Sequence, residues 1–399
     1  MKNKQIRTYI LINALYQFSF GVTSVILGIF LHDQGFSYAQ ISMYSFVFWI
    51  FSFLFEIPSG FIADLFPTNR IMFLSSVTRG WGIFMIIFSK QLGMASLMIG
   101  GFIAAIGEAL RSGTLEAWIT NELSSHDHMN QLDYAFSKSA SLSSLLSLIS
   151  GYAGSKLYYS LDRNGPFVLG LVSFLVCGMA SLMMIKDHHK KKRHVLEVNY
   201  LQETKNLLMH LKANKQFLFY IIYLSPFLLI STAPFNQWNL AFENVTMGFI
   251  SVSEIYVLVK AFSILGSYVS DRIIGTTKNI HHLFIGLISL DAFIIIVISF
   301  IGLPILQVLL FLIQVALISV LEIIGLHIIN HMIESDNRAT FLSIKNTFDS
   351  ILSIVVIGSM GVIADMSGIF YCWFIFAVLS CVGMIILERQ RKRLTMHSL

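Results

Sequence analysis

Apolar stretches long enough to form membrane-crossing helices follow one another along the whole chain, with polar residues gathered in the short gaps between them. They lie near 8–31, 40–63, 71–88, 93–119, 133–157, 165–185, 216–241, 249–270, 280–301, 304–330, 341–364 and 368–387. About 20 mostly apolar residues suffice for a helix to cross the hydrocarbon core. The pattern therefore predicts twelve transmembrane helices (spans 1 to 12), in two sets of six separated by a basic stretch from Lys186 to Lys215. The first stretch runs into His32, Asp33 and Gln34 rather than a small-residue cleavage site, so it reads as a retained helix.

The two sets share landmarks spaced 206 to 213 residues apart. Gly35-Phe36 precedes span 2, and Gly248-Phe249 precedes span 8. Asp64 closes span 2 and Asp271 closes span 8; Leu115-Glu116 sits late in span 4 and Leu321-Glu322 late in span 10. Lys138 is followed by Gly151 and Gly154, and Lys345 by Gly358 and Gly361 at the same spacings. Landmarks repeated in the same order predict parallel halves related by an axis along the membrane normal, an arrangement found in transporters with a site between the halves. The expected division is 1–185, a basic linker 186–215 with an amphipathic helix, and 216–399 with a polar tail.

Composition narrows the class. The chain has 399 residues, 55% hydrophobic and 12% charged, with mean hydropathy +0.72. Soluble domains carry roughly 25% charged residues, so the lipid bilayer must be the solvent. Lys and Arg divide unequally between the loops: nineteen on the side of both termini, against Lys90, Lys156 and Arg163 on the other. The positive-inside rule then places both termini and the linker in the cytoplasm. The net charge of +5 reports orientation and gives no reason to expect nucleic acid. His188, His189 and His194 lie in a basic run that reads as a lipid-headgroup anchor before a metal site. Cys177, Cys372 and Cys381 lack metal-type spacing.

Charges inside spans are costly and usually face a cavity or a partner. Span 2 carries Glu56, span 3 Arg79, and span 4 Glu108, Arg111 and Glu116. Glu108 and Arg111, three apart, share a helix face. Two readings stand side by side. In one, Glu56, Arg79, Arg111 and Glu116 form a network that re-pairs with conformation, with Glu108 as a proton carrier. In the other, the charges are a static cluster holding spans 2, 3 and 4. In the second half Lys260 and Asp291 lie at similar depths, and Lys345 and Asp349 are four apart; both are expected to pair. Polar faces on span 1 (Asn13, Gln17) and span 7 (Asn236, Gln237, Trp238) are expected to line a central cavity. Pro226 and Pro234 predict that span 7 is kinked or broken. A phosphate-binding loop, a zinc motif and a nucleophile elbow are all absent from the sequence. This argues against an enzyme, a metal site or a bound cofactor and leaves an ion gradient as energy source.

The segment Glu56-Ile-Pro-Ser-Gly60-Phe-Ile-Ala-Asp64, followed by Arg70, resembles the signature loop of the major facilitator superfamily. A degraded second copy runs from Gly266 to Lys278 and contains Asp271, Arg272 and Gly275. Span 4 (Gly107 to Ala117) and span 7 (Pro234 to Trp238) resemble bacterial drug-exporter-like members. The resemblance implies an all-α integral membrane fold of two pseudo-symmetric six-helix bundles. It also gives Gly60, Asp64, Arg70, Asp271 and Arg272 a part in conformational switching. The function implied is proton-coupled export of amphipathic small molecules by alternating access, in the bacterial cytoplasmic membrane, by a monomer. Alternatives are a nutrient uptake or facilitated-diffusion carrier of the same fold, or a membrane protein that recognises a ligand without transporting it. The chain departs from the family where Leu65, Phe66, Pro67, Thr68 and Asn69 replace the usual basic residues after Asp64, and where span 5 has Gly151 and Gly154 without the Gly-Pro motif of many proton antiporters.

Overall fold

A computed structural model of the protein describes residues 4–125, 128–186, 215–243, 250–277, 279–332 and 338–396. Gly248, Phe249, Lys278 and nearly all of the linker lie outside them, as does the side chain of Asp64 within its helix. Among the described residues, eleven helices are long and apolar enough to cross a membrane. They match every expected span except span 5. That helix, Leu132–Ser160, is long enough but carries nine serines, which lower its hydropathy without costing it helical structure. Several of these serines return their hydroxyls to the backbone of their own helix, as Ser141 does to Ser137 O at 2.9 Å.

Local chemistry explains the ends and breaks of these helices. Span 2, Tyr38–Leu65, opens with a reciprocal capping box: Gln40 N–H donates to Ser37 Oγ at 3.3 Å, and Ser37 N–H to Gln40 Oε1 at 3.0 Å. Span 4 is two helices, Met94–Arg111 and Thr114–Ser125, parted at Gly113, whose φ of 70° suits glycine. Span 1 is likewise Lys4–Ser24 followed by Leu27–Asp33. Span 7, Lys215–Glu243, does not break at its prolines: it is one helix containing both. Pro226 cannot donate to the carbonyl of Ile222, and Ser225 Oγ bonds that carbonyl instead, at 2.7 Å.

The chain divides into two compact units, Met1–His194 with Val252–Val257, and Val195–Ser251 with Leu258–Leu399. Six residues at the start of span 8 (Val252–Thr276), Val252–Val257, group with the first unit, and the division between the units falls within the expected linker. Each unit pairs its helices by the same scheme. In the first, span 1 packs on 5 and 6, and span 3 on 4 and 6. In the second, span 7 packs on 11 and 12, and span 9 on 10 and 12. Small residues set the tightest approaches. A Cβ on Gly154 of span 5 would lie within 2 Å of the Val22 carbonyl oxygen of span 1, at 1.9 Å.

Span 6, Gly165–Met184, displays the solvent the fold is built for. Val168, Val172, Leu175, Val176, Met179 and Met183 form an exposed apolar stripe at helical spacing. Phe167, Gly170, Phe174, Cys177 and Ser181 face the interior. A wide exposed aliphatic stripe with small and polar residues turned inward suits lipid and is unfavourable in water.

Candidate functional site

The first unit holds a cluster of charges where spans 1, 3 and 4 meet. Span 3, Thr68–Ile87, and span 4 lie close because Ser75 Oγ donates to Gly107 O at 2.7 Å, a contact that leaves no room for a side chain at Gly107. That approach brings Arg79 and Glu108 together. Glu108 is the hub. Its Oε1 accepts from Arg111 Nη2 at 3.0 Å and Nε at 3.3 Å. Its Oε2 accepts from the Tyr16 hydroxyl at 3.1 Å and lies 3.9 Å from Arg79 Nε.

Arg79 is only 8% exposed. Its guanidinium lies 5.1 Å from the centre of the Phe48 ring, 5.2 Å from Phe20 and 5.5 Å from Phe174. Its Nε has no hydrogen-bond partner among the described residues. Rings rather than oxygens surround this cation, which is worth most where water is excluded. Arg111 in turn stacks 4.8 Å above the Tyr16 ring.

The sequence singled out most members of this cluster but not its wiring. Glu108, Arg79 and Arg111 do come together. Glu56 does not: it is exposed and has no ion pair among the described residues. Glu116 is half-buried past the break at Gly113, and its Oε2 is buried without a hydrogen-bond partner among the described residues. The expected pairing of Arg79 with Glu56 or Glu116 is therefore corrected: its counter-charge is Glu108. Tyr16, Phe20, Phe48 and Phe174 were not assigned to the cluster. Asn13, Tyr16, Gln17 and Phe20 stand at i, i+3, i+4 and i+7, and that one-face spacing was the available signal. Asn13 is buried and donates to Ser139 Oγ at 2.8 Å, tying span 1 to span 5. Gln17 is half-buried beside it.

The residues of the signature loop are mostly exposed. Arg70 sits in the first turn of span 3, and Gly60 has open space where a Cβ would be. At the second copy Asp271 is exposed, and Arg272 lies over the ring of Tyr268 at 5.6 Å.

In the second unit, the expected cavity lining from span 7 is corrected in two of three positions. Gln237 is 2% exposed. Its Nε2 donates to Met360 O at 3.4 Å and its Oε1 accepts from Trp373 Nε1 at 3.2 Å, so it ties span 7 to spans 11 and 12. Trp238 is buried in a ring stack with Phe311 at 6.2 Å. Asn236 remains half-buried, donating to Thr232 O at 2.8 Å. Sequence alone could not say which side of span 7 faces its own bundle, because amide and indole groups serve both settings.

Lys345 and Asp349 form the expected ion pair. With Glu322, Phe227 and Phe284 they line a small, partly open pocket of about 30 Å³ within this unit. The expected pair of Lys260 with Asp291 does not form: both carboxyl oxygens of Asp291 lack a hydrogen-bond partner among the described residues.

Comparison with known proteins agrees with this architecture. The sequence profile of the Major Facilitator Superfamily matches residues 9–321. An uncharacterized MFS-type transporter, YxaM of Bacillus subtilis (strain 168), is 27% identical over 178 residues, which is 44% of this chain and 42% of that protein. The match thus spans less than half of the relative's length. Among solved structures, the nucleoside transporter NupG superimposes with a TM-score of 0.73 at 14% identity, covering 98% of this chain and 100% of that one. A bacterial homologue of the iron transporter ferroportin, in an inward-facing state, gives 0.73 at 13% identity over 97% and 99% of the two chains. An autoinhibited POT family peptide transporter gives 0.71 at 13% over 98% and 97%. At such identities the likeness establishes the fold.

Proposed function

The chain belongs to the major facilitator superfamily, and from that premise we propose that it is a secondary transporter exporting amphipathic small molecules by alternating access, driven by the proton gradient. The observation that carries this reading is Glu108. A carboxylate held by two guanidiniums and a phenol is placed to trade partners. Protonation of Glu108 would release Arg79 and Arg111 from it at once, loosening spans 1, 3 and 4 from one another. The aromatic groups beside the cluster favour a substrate with an apolar body. The bilayer supplies the setting, both termini face the cytoplasm, the unit of function is the monomer, and no bound cofactor is required.

The test is dye accumulation in cells expressing the protein or its Glu108→Gln variant, with and without a protonophore. Export predicts lower accumulation with the wild-type protein, restored by the protonophore and by the variant. Unchanged accumulation across a chemically varied panel removes drug-type export and favours an uptake carrier of the same fold, which counterflow in proteoliposomes would detect. Ligand binding without flux in those proteoliposomes would move the protein out of the transporter class.

A further inference from the structure

Span 9, Ile280–Phe300, carries a carboxyl group with no ion pair among the described residues. Asp291 is 0% exposed, and neither of its oxygens has a hydrogen-bond partner among the described residues. The polar side chain facing it is Gln314 on span 10, Pro304–Met332, also 0% exposed, with its amide oxygen and nitrogen both unpartnered. Four polar atoms thus stand unsatisfied in one dry place. Native interiors rarely leave such groups orphaned.

The chemistry of the pair resolves the difficulty if Asp291 carries a proton. A carboxylic acid can donate its O–H to Gln314 Oε1 and accept from Gln314 Nε2 through its other oxygen. That closed pair satisfies all four atoms. An ionised carboxylate would use the amide N–H alone and would repel Oε1. It would also leave a full charge buried with no cation, and a buried group in that position neutralises instead. Of the titratable groups on the helices packed against span 9, Cys381 on span 12 is close enough to feel Asp291. Glu322, His327 and His331 on span 10 lie roughly two turns or more beyond Gln314, and Glu388, Lys392 and the arginines of span 12 about two turns or more beyond Cys381, at about 1.5 Å per residue. His281 and His282 lie over two turns before Asp291 on span 9 itself, and Tyr220 and Tyr223 of span 7 pack at that same end, against His281 and Phe284.

The internal repeat gives this pair a counterpart. Asp291 follows Arg79 by 212 residues and Gln314 follows Glu108 by 206, both within the offset that relates the two halves. In the first unit the contact of spans 3 and 4 holds a cation against a carboxylate. In the second, the matching contact of spans 9 and 10 holds a carboxyl against an amide. At the first contact an arginine stays charged whatever the state of Glu108. The second contact holds no fixed charge among the described residues, so any charge there comes from Asp291 losing its proton.

We propose that Asp291 is a proton-binding site of the second unit, held as an acid against Gln314 and deprotonated when spans 9 and 10 admit water. The part that this proton plays in a transport cycle rests on the reading given above; its binding does not. The test is infrared difference spectroscopy on the reconstituted protein across a pH series. One protonated-carboxyl band is expected to be lost in Asp291→Asn, retained in Glu108→Gln, and shifted in Gln314→Leu. It is expected to fade as pH rises. Absence of any Asp291-dependent band overturns the proposal, and so does a band of constant amplitude over the whole series, which would describe a permanent structural acid. Should Asp291→Asn not fold, dicyclohexylcarbodiimide labelling of the wild-type chain decides. The reagent attacks protonated carboxyls in apolar surroundings. The peptide bearing Asp291 should be modified at acid pH and several-fold less at alkaline pH; no modification, or equal modification, overturns the assignment. Neither readout involves a substrate, so their failure leaves the export reading standing, while unchanged dye accumulation leaves the acid in place.

Discussion

Glu108 is shared by Arg79, Arg111 and Tyr16, and the consequences of removing it differ from those of removing Arg79. With Arg79 gone, Arg111 and Tyr16 still satisfy Glu108. With Glu108 gone, both guanidiniums lose the carboxylate they share, and a buried charge that loses its partner costs about 3–5 kcal/mol. Glu108→Leu should therefore lower the thermal unfolding midpoint in detergent more than Arg79→Leu does, and adding Arg79→Leu to Glu108→Leu should recover part of the loss. Equal losses with no recovery would mean that the 3.9 Å contact carries no coupling. Gln237 invites a different experiment. Its bonds to Met360 and Trp373 hold three spans together, and polar bonds between membrane helices contribute about 1 kcal/mol each. Gln237→Leu should lower the unfolding midpoint while leaving dye export per folded molecule unchanged; a selective loss of export would return Gln237 to the substrate path. Sequence spacing put Glu108 and Arg111 on one face. It could not choose between Glu56, Glu108 and Glu116 as partner for Arg79, because that choice depends on how spans 2, 3 and 4 rotate about their axes.

At the scale of elements, small residues decide which helices touch. Gly154→Ala places a methyl 1.9 Å from a backbone oxygen of span 1, which cannot swing aside as a flexible side chain would. Gly60→Ala meets open space. The first substitution should reduce the yield of folded protein and the second should not, as read by size-exclusion profiles of solubilised membranes. If Gly60→Ala nevertheless abolishes export, the signature loop acts through a conformation in which that space is filled. Legibility varied between helices for a simple reason. Eleven spans announce themselves by aliphatic length. Span 5 is legible only because its serines fall between apolar residues, and its role as the close neighbour of span 1 follows from glycines whose contacts no periodicity reveals.

For the molecule as a whole, the bias of Lys and Arg among the loops predicts that reporter domains active only in the cytoplasm will be active when fused to either terminus, and inactive when inserted beside Lys90 or Arg163. Activity at a single terminus would require an odd number of spans. The repeat has a second consequence at this scale. Both units pair their helices by one scheme, yet the matching contacts hold Arg79 with Glu108 in one and Asp291 with Gln314 in the other. The packing is repeated while the polar chemistry differs: the first contact holds an ion pair, the second a carboxyl group against an amide.

The sequence by itself determined the solvent and the approximate number of spans, which follow from hydrophobic length and from the bilayer's refusal of unpaired polar groups, acting one segment at a time. It pointed to the family separately, through the motif from Glu56 to Asp64. Only the tertiary structure decided who faces whom. It gave Arg79 to Glu108, set aromatic rings around the guanidinium, turned Gln237 and Trp238 into their own bundle, and left Asp291 opposite Gln314 instead of Lys260. Helix rotation settles such matters, and rotation is set jointly by close packing at small residues contributed by other spans, information that no single stretch of chain contains.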